Sequence, residues 1–382
     1  MLFKRKLNLN KISGSAFIFG PRMTGKTSLI KQLPASLFID LLVPETELDL
    51  RQTPKIFWEQ VSALPKGSLV VVDEIQKVPA LLNYVQKGIE ELDIRFILSG
   101  SSARKLKRGA ANMLGGRALD LRLHPLTAVE MGDVFNLDQA LQFGTLPKAA
   151  QLLMEKRTDE ARQLLRSYYT IYIKEEVQAE ALTRNVGAFQ RFLLVAAQSN
   201  AQVMEFSNIA RDCSVPMNTV KEYYSILEDT LLGEFLWPWD RSERKKARPK
   251  FYFFDNGVVR AMQNRLMDPP TPEDLGFLFE CWMVRELTRL RDYAQKPLEL
   301  SFWREGPHEI DILVMRGANP ALGIECKSGK SPLKKGTVQA FQKRFPQVPL
   351  IVASHQDSSP RKLEMGIEVL PWRHAIDRFC SL

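Results

Sequence analysis

The sequence has little cysteine and no long apolar run. Its four cysteines are scattered over 382 residues without a Cys-x-x-Cys pair, which argues against a disulfide framework and a cysteine-based zinc site. A reducing, cytoplasmic location fits this usage best. No apolar stretch approaches the roughly 20 residues of a membrane-spanning helix, and residues 1–6 (MLFKRK) lack the apolar core of a signal peptide. We therefore expect no membrane partner.

The charge balance favours a polyanionic partner. Lys and Arg number 53 against 44 Asp and Glu, a formal net charge of +9, and an excess of basic charge is typical of proteins that bind nucleic acid. The hydrophobic share of 45% is sufficient for well-packed cores. A chain of this length is expected to fold as two or three domains.

A glycine-rich loop near the start of the sequence carries the strongest chemical signal. Residues 20–27 (GPRMTGKT) fit the phosphate-binding pattern G-x-x-x-x-G-K-[ST], between a predicted strand at 16–19 and a predicted helix from 28. Backbone N–H groups of such a loop surround the phosphates, and the threonine hydroxyl holds Mg²⁺. The sequence therefore predicts an ATP site, with a chance loop as the alternative. The ATP-binding residues would be Gly20, Pro21, Arg22, Met23, Thr24, Gly25, Lys26, Thr27, Ser28 and Ser99.

A later apolar strand, residues 69–72 (LVVV), ends in two acids, Asp73 and Glu74. In ATPases an acid at this position holds Mg²⁺ together with the loop residue, here Thr27, and the next acid can orient and deprotonate the attacking water. Ser99 and Ser101, at the end of the following strand, could sense the γ-phosphate. The alternative for the acids is a solvated strand end.

Strands and helices alternate from 15 to 135, and the uniformly apolar strands predict a parallel sheet that is covered on both faces. ATP hydrolysis also needs positive charge at the γ-phosphate, often from an arginine of a neighbouring subunit. Arg117 is one candidate and Arg104 another, unless both are ordinary surface arginines. We therefore expect a homo-oligomer, which could assemble only on DNA.

Residues 187–254 have the pattern of a winged helix-turn-helix. Helices are predicted at 189–198, 206–212 and 218–228, with a tight turn between the last two. A basic run, 241–250, falls where the wing would turn and suits phosphate contacts. The alternatives are a solvated hairpin and a winged helix that binds protein. The DNA-binding residues would be Asn218, Thr219, Lys221, Arg241, Arg244, Lys245, Lys246 and Arg248.

Acidic residues of the C-terminal region predict a second metal site. Glu325 and Lys327 are two residues apart on a predicted strand, so both point to one face, and Asp311 lies on a neighbouring strand. Glu280, on the preceding helix, could complete the cluster. Such carboxylates could bind Mg²⁺, with Lys327 as a catalytic group in phosphodiester attack. The alternative is a nuclease-like fold that is kept for DNA binding or dimerisation.

Several motifs resemble one group of prokaryotic AAA+-type ATPases that carry a C-terminal region of uncharacterised function. These motifs are the glycine-rich loop, 73–76 (DEIQ), 98–102 (LSGSS), 116–130 and 143–148 (FGTLPK). In addition, the D-(x13)-E-x-K spacing from 311 to 327 resembles the PD-(D/E)xK nuclease and Holliday-junction-resolvase superfamily. The group commonly has Glu-Val-Lys-Ser at its third motif, where this chain has Cys326 as the second residue, with a side chain expected to point away from the site.

The resemblance implies an α/β multidomain fold. It comprises an AAA+-type P-loop parallel sheet (1–140), a helical winged-helix domain (141–255) and a restriction-endonuclease-like α/β domain (256–382), with Glu74 as catalytic base. The expected function is an ATP- and Mg²⁺-dependent DNA-binding ATPase that acts on duplex or branched, junction-like DNA, with a C-terminal domain that cleaves or binds DNA. Two alternatives stay open: an ATP-gated signalling or defence switch of the STAND type, whose C-terminal domain binds protein, and a nuclease with regulatory ATP.

Overall fold

The computed structural model describes residues 3–101, 114–173, 186–239, 248–330 and 333–382. The first part of the chain forms a five-stranded sheet, in which all strands are parallel and the order is β2-β3-β4-β1-β5. This confirms the predicted parallel α/β domain. The strands are β1 (Ser15–Phe19), β2 (Leu37–Asp40), β3 (Leu69–Asp73), β4 (Arg95–Gly100) and β5 (Ala118–Arg122).

The sheet is buried on both faces because its central strands are apolar at most positions. Alternate residues of β1 enter different cores: Phe17 and Phe19 pack into one, and Ala16 and Ile18 into the other. Since the strands are parallel, their carboxyl ends meet at one edge, where the loops after β1, β3 and β4 converge. The helices of this part are α1 (Lys26–Ile30), α2 (Pro44–Gln52), α3 (Lys55–Ser62) and α4 (Leu81–Leu92).

The middle of the chain is helical and contains one two-stranded antiparallel hairpin. The turn after the second helix of the predicted helix-turn-helix places Ser214 at φ 55°, and aromatic residues of helices and hairpin, such as Tyr224 and Phe251, share one buried core. The elements are α5 (Ala128–Met131), α6 (Leu137–Phe143), α7 (Pro147–Met154), α8 (Thr158–Ser167), α9 (Val186–Gln198), α10 (Phe206–Cys213), α11 (Met217–Asp229), β6 (Gly233–Leu236), β7 (Lys250–Phe253) and α12 (Asn256–Met262). The element order agrees with the predicted one, and the winged-helix identity stays a prediction.

The C-terminal part packs one long helix, α13 (Pro272–Ala294), against a mixed six-stranded sheet. Thr271 caps this helix by accepting the N–H of Asp274, whose carboxylate accepts the N–H of Thr271 in return, so the helix begins at Pro272. The sheet order is β12-β13-β11-β10-β9-β8, and its restriction-endonuclease-like identity stays a prediction. The further elements are β8 (Leu298–Glu305), β9 (His308–Arg316), β10 (Asn319–Lys327), α14 (Lys335–Arg344), β11 (Leu350–Ser354), β12 (Arg361–Lys362), β13 (Glu368–Pro371) and α15 (Trp372–Cys380).

One buried arginine of α13 joins the three parts of the chain. The Arg289 guanidinium donates to the carbonyls of Leu126 and Phe254 and to the hydroxyl of Thr145. The adjoining Gly144 has φ +69°, and a Cβ there would lie 1.8 Å from an Asp255 carboxylate oxygen. The segment 143–148, which the sequence analysis singled out, therefore lies at the joint between the parts. Among the described residues, no helix is both long and apolar enough to span a bilayer.

Candidate functional site

The glycine-rich loop folds tightly at the carboxyl end of β1. Gly20 approaches the chain after β5 so closely that a Cβ would lie 2.2 Å from the carbonyl oxygen of Leu123, and Gly25 has φ +94°, which favours glycine. The Thr24 hydroxyl donates to the carbonyl of Pro21 at 2.8 Å. The loop leads directly into α1, so its N–H groups and the helix N-terminus face the same place, as anion binding requires.

The Lys26 ammonium lies over this loop. It is 2.6 Å from the carbonyl oxygen of Gly20 and 3.1 Å from that of Pro21, and the residue is only 5% exposed. These contacts hold the positive charge of Lys26 at the loop, where it would neutralise negative charge of a bound triphosphate.

Thr27, Asp73 and Ser99 meet at the same edge of the sheet. The Thr27 hydroxyl is 2.7 Å from Asp73 Oδ2, and the Ser99 hydroxyl donates to the other oxygen of the same carboxylate. A hydroxyl beside a buried carboxylate is the oxygen donor set that Mg²⁺ takes in nucleotide sites, and the remaining ligands come from phosphates and water. These residues therefore fit the predicted ion.

Gln76 is a residue of this site that the sequence analysis did not assign. Its amide donates to the Glu74 carboxylate and, at 3.2 Å, to the Ser101 hydroxyl. Glu74 has φ 59° and its N–H donates to Ser99, so backbone and side chain are both fixed. The signal was present in the tetrapeptide at 73–76, where the glutamine follows the acid by two residues.

Arg5 is a second unassigned residue, far from the loop in sequence. Its guanidinium donates at 2.6 Å to the carbonyl of Thr24 and at 2.6 Å to that of His124, and it pairs with the buried Glu130 at 3.0 Å. In a planar trans peptide the C=O and the following N–H point in opposite directions. By binding the Thr24 carbonyl, Arg5 therefore fixes the orientation of this peptide and, with it, of the Gly25 N–H.

Arg117 lies on the wrong side of the sheet to act within its own chain. It precedes β5, whose first residue pairs with Ser15 and whose last, Arg122, pairs with Phe19 beside the loop. A strand of this length separates it from the nucleotide edge by about 17 Å. Its side chain instead pairs with Glu90 at 2.7 Å. Only a neighbouring copy could bring Arg117 to the ATP site, and the other candidate, Arg104, lies outside the described residues.

The predicted DNA-binding residues of α11 lie at its exposed start. Asn218 and Lys221 are exposed, and Thr219 is half-buried. Glu222, next to Lys221, is also exposed and adds negative charge to this part of the helix. In the basic run, Arg248 pairs with Glu205. Arg241, Arg244, Lys245 and Lys246 lie outside the described residues.

The C-terminal acids do come together, and β7 adds a lysine to them. Asp311 accepts the N–H of Cys326 at 2.8 Å, and Glu325 pairs with Lys327 at 2.8 Å. Glu280 binds Lys250 of β7, also at 2.8 Å. Burial raises the pKa of Asp311 well above its usual range, with further contributions from Glu325 and Glu280, and burial likewise raises the pKa of Glu325.

The acids of this cluster also contact groups of the protein, and the Mg²⁺ site stays a prediction. Each predicted ligand already accepts a hydrogen bond or ion pair from the protein, and among the described residues no three His, Cys, Asp or Glu side chains are grouped to hold a metal. The three predicted ligands, Glu280, Asp311 and Glu325, lie near one another, and Glu280 is paired with Lys250. A basic surface lies beside it, because β10 ends in Lys327 and the exposed residues Lys330, Lys334 and Lys335 follow.

Three families match successive parts of the chain. Residues 13–132 match the family described as AAA domain. This segment contains the glycine-rich loop and the five-stranded parallel sheet described above. Residues 134–268 and 275–374 match two domains of unknown function, DUF8612 and DUF4143.

Two similar proteins are described as uncharacterised. Protein MJ1544 of Methanocaldococcus jannaschii is 20% identical over 409 residues, which covers 97% of this chain and 89% of the relative. An uncharacterised protein of Haemophilus influenzae is 20% identical over 274 residues, which covers 64% of this chain and 68% of the relative.

Solved structures with some similarity include the Aeropyrum pernix ORC1 protein in complex with DNA, with 14% identity and a TM-score of 0.32 over 67% of this chain and 87% of that one. Another is the replication initiator DnaA bound to AMPPCP and single-stranded DNA, with 13% identity and a TM-score of 0.31. The match covers 69% of this chain and 90% of that one. TM-scores of this size do not establish a shared fold.

Proposed function

We propose that this protein is an Mg²⁺-dependent ATPase that acts on DNA. The observation that carries the proposal is the meeting of Thr27, Asp73 and Lys26 at one edge of the parallel sheet, with a 2.7 Å contact between the hydroxyl and the carboxylate. Bound Mg²⁺ would neutralise charge on the β- and γ-phosphates. Thr27 and Asp73 hold it, Lys26 contacts the phosphates, and Glu74 orients and deprotonates water under the restraint of Gln76.

DNA as the partner is supported by charge. The chain has a net charge of +9, basic residues at 241–248 lie between β6 and β7 in the sequence, and exposed lysines follow β10. Basic side chains on a surface bind the phosphate backbone without reading sequence, and binding of this kind weakens steeply with salt. We propose that these basic residues bind duplex or branched DNA, with a contribution from the exposed start of α11.

The test compares ATP turnover of the full chain with linear duplex, single-stranded and four-way-junction DNA. We expect stimulation by at least one of them at low salt, and its loss as salt rises. Lys26→Ala should lose nucleotide binding, whereas Glu74→Gln should keep binding and lose hydrolysis by about 10²- to 10⁴-fold. Unchanged turnover in Lys26→Ala would refute the ATP site, and no DNA binding at low salt would refute the DNA assignment alone.

A second candidate is an ATP-gated switch that binds protein. The observation in its favour is the mixed charge of the exposed face of α11, where Glu222 adjoins Lys221; like charge next to DNA phosphates is unfavourable. A switch of this kind would turn over ATP slowly and at the same rate with or without DNA. The turnover measurements described above separate the two functions.

A further inference from the structure

Strand β7 inserts two polar side chains into the carboxylate cluster of the C-terminal part. Lys250 and Tyr252 are two residues apart on one strand and so point to the same side. The Lys250 ammonium lies 2.8 Å from Glu280 Oε1 and 2.8 Å from Glu309 Oε1. The Tyr252 hydroxyl donates to the same Glu280 oxygen at 2.6 Å.

The lysine is buried with the acids. Its side chain is 4% exposed, against 13% for Glu280 and 29% for Glu309, and the ring of Phe302 lies 5.5 Å from the ammonium. A buried ammonium is stable only when carboxylates and hydrogen bonds compensate for its lost hydration. The two glutamates and the aromatic ring supply that compensation, so the contact is a built feature of the joint between β7 and the C-terminal sheet.

The backbone strengthens the same joint on the other strand of the hairpin. After β6, the N–H of Trp239 donates to the carbonyl of Phe302 at 2.7 Å, and the N–H of Phe302 donates to the carbonyl of Trp237 at 3.2 Å. The Trp239 ring also packs edge-on against Phe345. Both ends of the segment that carries the basic run are therefore fixed to the C-terminal part.

From these contacts we propose that Lys250 is the resident cation of the C-terminal carboxylate cluster, and that the cluster joins the β6–β7 hairpin to the C-terminal sheet instead of binding a catalytic metal ion. The Lys250 ammonium, which comes from β7 of the middle part, supplies positive charge where a divalent ion would otherwise supply it. The proposal concerns a different site from the ATP loop and holds whether or not the ATPase assignment does.

One carboxylate oxygen of the cluster is the place where an entering metal ion would bind. Glu325 Oε2 is buried and has no hydrogen-bond partner in the described structure, and Mg²⁺ can bind through one or two carboxylates with water as its other ligands. A metal ion that entered the cluster would bind here together with Asp311. The test therefore reads metal binding directly and uses Asp311 as the discriminating residue.

The experiment titrates Mn²⁺ into the full chain without nucleotide and counts bound ions by electron paramagnetic resonance. We expect wild type and Asp311→Asn to bind the same number, because ions at Thr27 and Asp73 are common to both. The same pair is incubated with linear and junction DNA and Mn²⁺, and equal background cleavage is expected. Mn²⁺ binding or cleavage that is lost in Asp311→Asn would overturn the proposal.

A second measurement replaces the lysine. Lys250→Met should lower Tm by about 5 °C or more, since it leaves two carboxylates without their cation, whereas Lys66→Met, at an exposed loop position, should leave Tm unchanged. Mn²⁺ should raise the Tm of Lys250→Met by more than that of Lys250→Met/Asp311→Asn, since binding at Thr27 and Asp73 is common to both. An unchanged Tm in Lys250→Met would overturn the proposal. If Lys250→Met does not fold, the comparison of wild type with Asp311→Asn decides.

Discussion

At the scale of single residues, the nucleotide site depends on side chains that orient the backbone as well as on those that contact phosphate. Lys26, Thr27 and Asp73 would contact the ligands, whereas Gln76 fixes Glu74 and Arg5 fixes the peptide before Gly25. Such positioning residues change how well the site is formed before the ligand arrives, and preorganised sites bind and react better than flexible ones.

Replacing Arg5 should weaken nucleotide binding more than it slows turnover. Arg5→Met removes the donor that binds the Thr24 carbonyl, so the orientation of the Gly25 N–H in the phosphate-binding loop is no longer fixed. A hydrogen bond to a charged group contributes about 1.5 to 3 kcal/mol, so we expect Kd for ATP to rise by roughly 10- to 100-fold, with a smaller change in kcat. The readouts are titration calorimetry with a non-hydrolysable analogue and steady-state kinetics.

Arg5→Lys is the matched variant, because it keeps the positive charge beside Glu130 but loses the planar fork that reaches two carbonyls at once. It should fall between wild type and Arg5→Met. If folded Arg5→Met binds the analogue as tightly as wild type, the loop holds its own shape and Arg5 is only a structural contact.

The sequence predicted the residues of the site that form a local motif and missed those that arrive from elsewhere. Gly20 to Thr27 are adjacent and have a recognisable spacing, and Asp73 follows an apolar strand. Arg5 and Lys250 could not be found in this way, because no spacing rule connects a lone basic residue to the loop or acids it contacts after folding. Arg117 shows the converse, since its sequence neighbourhood suggested a role that the direction of β5 excludes within one chain.

At the scale of elements, the short helix α5 depends on a buried acid of α13. Glu286 accepts the N–H of Ala128, the first residue of α5, at 2.7 Å, and its other oxygen has no hydrogen-bond partner in the described structure. Burial is the main cause that raises the pKa of Glu286 from an ordinary value of 4.5 to about 7, and nearby Arg289 opposes this increase. The acid is therefore most stable in its protonated form.

This pKa shift predicts how stability depends on pH. Between the unfolded pKa near 4.5 and the folded pKa of about 7, the folded state binds more protons than the unfolded one, so the contribution of Glu286 to stability is present below pH 4.5 and is lost as pH rises through 7. Glu286→Gln keeps the acceptor for Ala128 and cannot ionise. Relative to wild type, we expect it to gain about 2 to 3 kcal/mol between pH 5 and pH 8.

Urea denaturation of both proteins across this pH range measures the difference directly. Other groups titrate in the same range, but they are common to both proteins and cancel in the comparison. A constant difference between Glu286→Gln and wild type would show that Glu286 is ionised throughout in the folded protein.

The turn after α6 gives a second prediction at this scale. Gly144 and Gly132 both have positive φ, but a Cβ at Gly144 would collide with the Asp255 carboxylate, whereas nothing lies within 4 Å of a Cβ at Gly132. Gly132→Ala should cost only the backbone strain of about 1 kcal/mol. Gly144→Ala should cost more than about 2 kcal/mol, because Asp255 must also give up its bond to the Thr145 N–H. Equal losses of Tm in the two variants would contradict the role given to this joint.

At the scale of the whole molecule, the parts of the chain are joined by buried polar contacts. Arg289 joins segments near 126, 145 and 254, Lys250 joins the hairpin to the C-terminal sheet, and Arg5 reaches both the loop and Tyr293 of α13. Patterns of apolar residues predicted the elements because each pattern is local. They could not predict these joints, because the position of a buried charge depends on a compensating partner that is distant in the sequence.

The position of Arg117 leads to a prediction about assembly. Arg117 lies at the edge of the sheet opposite its own ATP loop and pairs there with Glu90, both side chains being more than 40% exposed. If it supplies charge to the γ-phosphate of a neighbouring copy, Arg117→Ala should lower kcat by about 10³-fold or more. Glu90→Gln is the matched control: it breaks the ion pair, which contributes little at an exposed position, and should keep the rate.

Mixing inactive variants tests whether the arginine acts between copies. Lys26→Ala keeps Arg117 but cannot bind ATP, and Arg117→Ala binds ATP but lacks the arginine. In a mixture of equal amounts, about a quarter of head-to-tail interfaces pair an intact loop with an intact arginine, so ATP turnover should recover to about a quarter of the wild-type rate, with DNA added as the assembling partner. A mixture as inactive as its components would show that copies do not share sites through Arg117, and full activity of Arg117→Ala alone would remove the arginine from the reaction.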